Sequence, residues 1–234
     1  MKSLREGNCR RQVKRAGKFF SKLTASSLED FSAMEYPSSY AANVALFAEG
    51  EPGRALFVIL RGEVRLSINS SDGKRLSLRI ASEGDVIGLS STLSGTPYDV
   101  TAETLYPSKI ATIERHEFLK FLARHPDAYQ SVSEELGRHL TMACSQLRTL
   151  ALSSSASERL ARLLLEWSDS AQVRGSGSGL RFSLTHDEIG DFIGISRETV
   201  TRTLTNFKDR RLVAFQGSMM TIPSRAALAD YAHT

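Results

Sequence analysis

Apolar and polar positions alternate one by one through the front half of the chain. Val64, Leu66 and Ile68 alternate with Arg65, Ser67 and Asn69, and Leu76, Leu78 and Ile80 alternate with Ser77 and Arg79. A period of two is that of a strand with one face buried, so each apolar trio is expected to face a core. Between the two runs lies Ser70-Ser71-Asp72-Gly73, where Asp starts a turn and Gly accepts positive φ, a hairpin connection. Leu56 to Leu60 shows no alternation and predicts a strand covered on both faces. Glycines at 50, 62, 73, 84 and 95 recur every 11 or 12 residues. Turns at that interval separate short antiparallel strands, so residues 40–113 predict a jelly roll or small barrel.

From Glu114 the pattern becomes helical. Tyr129, Val132, Leu136, Leu140, Ala143, Leu147 and Leu150 follow one another at intervals of three and four. The mean period of 3.5 is the spacing at which two helices supercoil, and it predicts a helix over 129–152 and a homodimer. Cys144 lies beside this seam, where a free cysteine is expected to act as a small buried hydrophobe. The serines of 153–157 break the helix. Ser155 with Glu158 restarts one in capping-box form, running to about Trp167, and 168–179 reads as a flexible loop.

Residues 184–212 carry the most specific pattern. Thr185 and Glu188 form a second capping box before Ile189, Phe192 and Ile193, and Gly194 ends that helix. Ser196 caps another, whose buried side is Val200, Leu204 and Phe207. Gly190, Gly194 and Val200 supply a small residue where two helices meet, a glycine in the turn and an aliphatic in the second core, the layout of a helix-turn-helix. Leu212–Phe215 and Met219–Ile222 flank Gln216-Gly217-Ser218 as a hairpin, a wing. The exposed face of the second helix holds Arg197, Glu198, Thr201, Arg202 and Thr205. Arginine can bind guanine O6 and N7 with two hydrogen bonds, and glutamate accepts from cytosine N4. A helical hairpin with a solvated charged face is the alternative.

Composition narrows this. The chain has 234 residues, 41% hydrophobic and 24% charged, ordinary for a folded protein of one or two domains. The longest apolar run is the six residues Ala55–Leu60, so no transmembrane helix is expected, and the basic N-terminus precedes no apolar stretch of a secretory signal. Residues 1–18 hold seven basic side chains against one acid, so a net charge of +4 leaves the other 216 residues at −2. The tail is either a solvated terminus or a contact to phosphates or a membrane surface. Two cysteines, Cys9 and Cys144, supply neither a disulfide framework nor a zinc site. His116, His125, His139, His186 and His233 all lie outside 40–113, so a metal-binding barrel enzyme lacks its ligands, and no metal or cofactor is expected.

The run Gly194-Ile195-Ser196-Arg197-Glu198-Thr199-Val200-Thr201-Arg202-Thr203-Leu204 resembles the recognition-helix motif of the family of the cyclic-AMP receptor protein and the fumarate–nitrate reduction regulator, the Crp/Fnr family. Leu46-Phe47-Ala48-Glu49-Gly50-Glu51, Val64 after Arg61-Gly62-Glu63, and Gly84-Asp85-Val86-Ile87-Gly88 are also similar to it, and the likeness spans about residues 20–225. The resemblance implies an α+β protein of the bacterial cytoplasm. It would comprise a basic tail (1–18), an effector-sensing antiparallel β-roll (19–128), a dimerisation helix (129–152) and a winged helix-turn-helix (153–234). It implies base contacts from Arg197, Glu198 and Arg202, joined by Thr201. Phosphate contacts would come from Ser196, Thr199, Thr185, Gln216, Gly217 and Ser218. The dimer face would be Val132, Leu136, Leu140, Ala143, Leu147 and Leu150. The implied partners are double-stranded DNA at TGTGA-like half-sites, a second copy and RNA polymerase.

The effector site departs from the family pattern. Cyclic-nucleotide binders use a Gly-Glu pair for the ribose and Arg-Ser or Arg-Thr for the phosphate. Here Gly88 is followed by Leu89, and the second stretch reads Pro97-Tyr98-Asp99. An iron–sulfur sensor needs four cysteines, and a haem sensor needs an axial ligand from the roll. The expectation is therefore a regulator without catalytic activity and with an unidentified small-molecule effector, or none, near Gly88, Leu89, Ser90, Thr92, Tyr98 and Asp99. A module acting through a protein partner, and a cyclic-nucleotide responder with a different pocket, are the competing readings.

Overall fold

The computed structural model describes residues 18–173, 179–181, 184–216 and 219–232. The tail to residue 17 with Cys9, the glycine–serine stretch 174–178, Gly217, Ser218 and His233 lie outside the described residues. The chain divides into two compact units, residues 1–73 with 78–142, and residues 74–77 with 143–234.

In the first unit, strands β1 (Tyr36–Tyr40), β2 (Ala45–Phe47), β3 (Ala55–Arg61), β4 (Glu63–Asn69), β5 (Arg75–Ser82), β6 (Val86–Ile87), β7 (Thr101–Thr104) and β8 (Ser108–Glu114) build two sheets. Their orders are β1-β8-β3-β6 and β2-β7-β4-β5. The five periodic glycines all adopt positive φ, so the 11-to-12-residue interval marks true turns. Uninterrupted apolarity in β3 has the expected cause. Phe57 and Ile59 point into the roll with Phe47, Val64, Ile87 and Ile110. Leu56, Val58 and Leu60 point to the other side, against Phe31, Phe118, Phe121 and Leu122. Phe31 lies on α1 (Ala25–Ala33), and the last three on α3 (Arg115–Arg124).

Three expectations for this half need correction. Leu89–Ser94 is a short helix, α2, within the stretch read as all strand. Six residues are too few for a helical period to show, and the cap is Gly88 at φ 75°. In β5 the fully buried positions are Ser77 and Ala81, while Leu76, Leu78 and Ile80 are half-buried. Alternation says which residues share a face and leaves open which face is inward. In β4 two of the three polar partners are not in water: Ser67 is buried, and Arg65 is 4% exposed and bonds across the sheet to Glu103 at 3.2 Å, while Asn69 is exposed.

Helix α4 (Pro126–Leu152) spans the predicted seam. Val132 is buried and Leu136 packs on the first unit's core, whereas Leu140 and Leu147 are 67% and 64% exposed. Ala143 is exposed and Leu150 half-buried. Cys144, expected to be buried, is exposed: it stands four residues after Leu140 and three before Leu147, on the open stripe itself.

The second unit contains α5 (Ala156–Val173), β9 (Gly179–Arg181), α6 (His186–Ile193), α7 (Arg197–Asp209), β10 (Ala214–Gln216), β11 (Met219–Thr221) and α8 (Arg225–Tyr231). Ser155 Oγ accepts from Glu158 N at 3.1 Å, half of the expected capping box, while the Glu158 carboxylate accepts from Ser154 N at 2.7 Å, one residue earlier than expected. The helix continues to Val173, six residues past Trp167, so residues 168–173, expected in a loop, are helical. The wing hairpin gains a third strand, in the order β10-β11-β9. No helix among the described residues is long and apolar enough to cross a membrane.

Candidate nucleic-acid interface

The interface begins with two helix caps. Thr185 Oγ1 accepts from Glu188 N at 3.2 Å while Glu188 Oε2 accepts from Thr185 N at 2.8 Å, a complete capping box. Gly194 ends α6 at φ 65°, which returns Ile195 N to Gly190 O at 3.2 Å. Ser196 Oγ then caps α7 by accepting from Thr199 N at 3.3 Å. The helices meet at Gly190, where a Cβ would lie 2.4 Å from Ile195 O. That atom is backbone and cannot swing aside. Gly190→Ala is therefore expected to cost about 1–3 kcal/mol through overpacking, read as a fall of several degrees in the thermal midpoint. An unchanged midpoint would contradict this tight crossing.

Ile189, Phe192, Ile193, Val200, Leu204 and Phe207 are buried as expected, and Trp167 meets Phe192 edge-on at 5.3 Å. On the opposite side of α7, Arg197, Glu198, Thr201, Arg202 and Thr205 are all exposed. The side chains of Arg197 and Arg202 make no hydrogen bond or ion pair among the described residues. Glu198 is held below the usual carboxylate range by its own backbone N–H, the Ser196 hydroxyl and the Arg197 charge. It is thus a pure acceptor, the state a cytosine amino group requires. Ser196 is exposed and Thr199 half-buried. Gln216 is exposed at the end of β10. One contact was not legible in the sequence: His186 Nδ1 lies 2.7 Å from Thr201 Oγ1, joining the first turn of α6 to α7. Residues 15 apart have no shared period to announce them.

The expected effector residues do not converge. Tyr98 is buried, its hydroxyl donates to Ala55 O at 2.6 Å and accepts from Ala55 N at 3.1 Å, and its ring stacks on Phe47 at 4.0 Å. Burial pushes its phenol up, so it stays neutral. A Cβ on Gly88 would lie 3.1 Å from the Tyr98 ring. Leu89 is buried in the helix-side core, whereas Tyr98 belongs to the roll interior. Thr92 is buried and donates to Gly88 O at 2.7 Å, and Ser90 and Asp99 are exposed.

Beside β5 runs a chain of charges that sequence reading missed. Asp85 pairs with Arg79 at 3.5 Å, Arg79 Nη2 meets His139 Nε2 at 3.2 Å, and His139 meets the buried Glu135 at 2.9 Å. Burial would raise the Glu135 carboxyl, but bonds from His139 and Arg138 outweigh it and hold it low. Ser27, His125 and Asp30 form a second cluster, at 3.0 and 2.8 Å. It has the composition of a hydrolytic triad, but Ser27 is fully buried and donates to Asp127 at 2.7 Å, so the group clamps α1 to the start of α4. Among the described residues no cluster of three metal-ligating side chains occurs.

Residues 37–125 match the cyclic nucleotide-binding domain, and residues 158–231 match the Crp-like helix-turn-helix domain. The chain is 27% identical over 197 residues to the cAMP-activated global transcriptional regulator CRP of Pasteurella multocida, covering 84% of this chain and 94% of that protein. It is 28% identical over 197 residues to a CRP-like cAMP-activated global transcriptional regulator of Mycobacterium tuberculosis, covering 82% and 86%. Its fold is similar to that of FixK2 from Bradyrhizobium japonicum, with a TM-score of 0.76 at 24% identity over 84% of this chain and 96% of that one. The c-di-GMP responsive regulator CLP of Xanthomonas campestris gives 0.72 at 20% identity, covering 86% and 100%. With a roll, a long helix and a winged helix-turn-helix in the family's order, the chain is a DNA-binding transcription regulator and belongs to the Crp/Fnr family.

Proposed function

We propose that the protein acts as a homodimer in the bacterial cytoplasm, reading an inverted repeat of TGTGA-like half-sites and regulating transcription without catalysis. In this reading 19–128 is the sensing unit, 129–152 dimerises and 153–234 holds the DNA. The observation that carries it is the pair of exposed guanidiniums, Arg197 and Arg202, flanking an ionised Glu198 on the helix after the Gly190–Gly194 turn. The first turn of a recognition helix is what reaches base edges. Ser196, Thr199, Thr185 and the wing residues Gln216, Gly217 and Ser218 would hold phosphates, and RNA polymerase is the further partner. Selection of bound sequences from a random duplex pool tests it. An inverted repeat with centres about one helical turn, ~34 Å, apart is expected. A pool without enrichment would overturn it.

The effector is a separate matter. The relatives' cyclic-AMP response does not carry over, because Tyr98 fills the space beside Gly88 and Leu89 faces the other core. Admitting a phosphate there means displacing a buried ring that makes two hydrogen bonds. It would also mean desolvating an anion without an arginine on the Tyr98 segment, a loss of several kcal/mol, with each 1.4 kcal/mol tenfold in affinity. Titration calorimetry with cyclic AMP or cyclic GMP is expected to give no specific heat up to millimolar ligand. A micromolar dissociation constant lost in Tyr98→Ala would contradict it.

A further inference from the structure

We infer that His186 is a proton-sensitive phosphate contact of the DNA interface, locked in place by Thr201, so that acidification tightens DNA binding. The inference rests on the DNA-binding reading above. In a helix-turn-helix the second helix enters the major groove while the first crosses the sugar–phosphate backbone. His186 opens the first helix, and its ring is hydrogen-bonded at 2.7 Å to an exposed residue of the second. It is therefore placed where the groove edge meets the backbone.

The hydrogen-bond pattern fixes the chemistry. Thr201 Oγ1 donates to Arg197 O at 2.9 Å, so its proton is committed to the helix backbone. Facing that oxygen at 2.7 Å, Nδ1 must be the donor. The neutral ring then carries its lone pair on Nε2, which cannot donate to a phosphate. Protonation turns Nε2 into a charged donor without disturbing the Thr201 bond.

The surrounding charges make that proton matter. On its own helix His186 is followed by Asp187 and Glu188, the latter tied to the Thr185 cap. On α7 stand Arg197, Glu198 and Arg202, and on α5 Arg159 reaches Ile193 O at the far end of α6. In the first turn of α6, His186 is the one side chain able to offset two carboxylates as a phosphate approaches. A histidine changes charge across this pH range. The same bonds leave the Thr201 hydroxyl one lone pair, so toward a base it can only accept.

The test uses the full chain and a duplex bearing the selected site, at constant ionic strength. Wild type is expected to bind about tenfold or more tightly at pH 6 than at pH 8. Its slope of log affinity against log salt should steepen by about 0.9 per protomer at the lower pH, one further phosphate neutralised. His186→Gln should lose most of both changes while keeping the same base preference. His186→Arg should show the steep slope and tight binding at both pH values. A pH profile and salt slope unaltered by His186→Gln would overturn the assignment with DNA binding intact. A wild type that selects no sequence at either pH would overturn the DNA-binding reading itself.

Discussion

Leu147→Glu is expected to convert the protein to a monomer in sedimentation and to lower affinity for a two-half-site duplex by about a hundredfold or more. The reason is an apolar surface left open within one chain. Along α4 the N-terminal seam residues Val132 and Leu136 are consumed by the first unit's core. Beyond them Leu140, Ala143, Cys144 and Leu147 lie exposed on one stripe, with Leu140 and Leu147 about two-thirds open. Leucines at that spacing in water gain by burial against a second copy of the same stripe, by about 25 cal/mol per Å² of apolar area. With Leu147→Glu in both copies, a two-fold axis would bring the two introduced carboxylates into that seam together, each buried and each repelling the other. Leu140→Glu should act alike. Because the stripe is exposed within one chain, neither change touches the chain's own core, so the roll should keep its fold by circular dichroism. A variant that sediments as an unchanged dimer would move the interface elsewhere.

The roll and the helix-turn-helix were legible for a shared reason: each is specified by short-range periodicity. The unbroken apolar run Leu56–Leu60 predicts a strand covered on both faces, and the structure supplies both cores. Gly190, Gly194 and Val200 are read within eleven residues, and Gly190 is required because Ile195 O would meet any Cβ. What stayed hidden depends on long-range placement. The inward face of β5 is set by how the hairpin docks, so the expectation that Leu76, Leu78 and Ile80 face the core failed there. Arg79 meets His139, and Arg65 meets Glu103, across 60 and 38 residues, distances over which no sequence period operates. The departure at Leu89 and Tyr98 was visible as a missing pair of polar residues. That Tyr98 would occupy the space beside Gly88, and Leu89 turn to another core, was not, because Tyr98 is placed by its bond to Ala55 and its stacking on Phe47, and Leu89 by the separate helix-side core.

Arg197→Ala should weaken binding to the selected duplex by about 1–3 kcal/mol per half-site and relax selectivity at one guanine. With two half-sites the combined loss reaches from roughly thirtyfold to more than ten-thousandfold. The guanidinium is exposed, hydrogen-bonded to nothing among the described residues, and held at the first residue of α7 by the Ser196 cap. Removing it would delete the proposed base contact and leave the helix intact, since the capping bond uses Thr199 N and Ser196 Oγ. Thr199→Ala is the contrasting change. Its side chain is near the cap, 3.2 Å from Ser196 Oγ, and would contact phosphate, so its loss should weaken all duplexes alike. Comparing each variant on the selected site and on random duplex at fixed salt separates the two roles. Equal losses on both duplexes for Arg197→Ala would make it a backbone contact, and the reading of guanine would have to pass to Arg202.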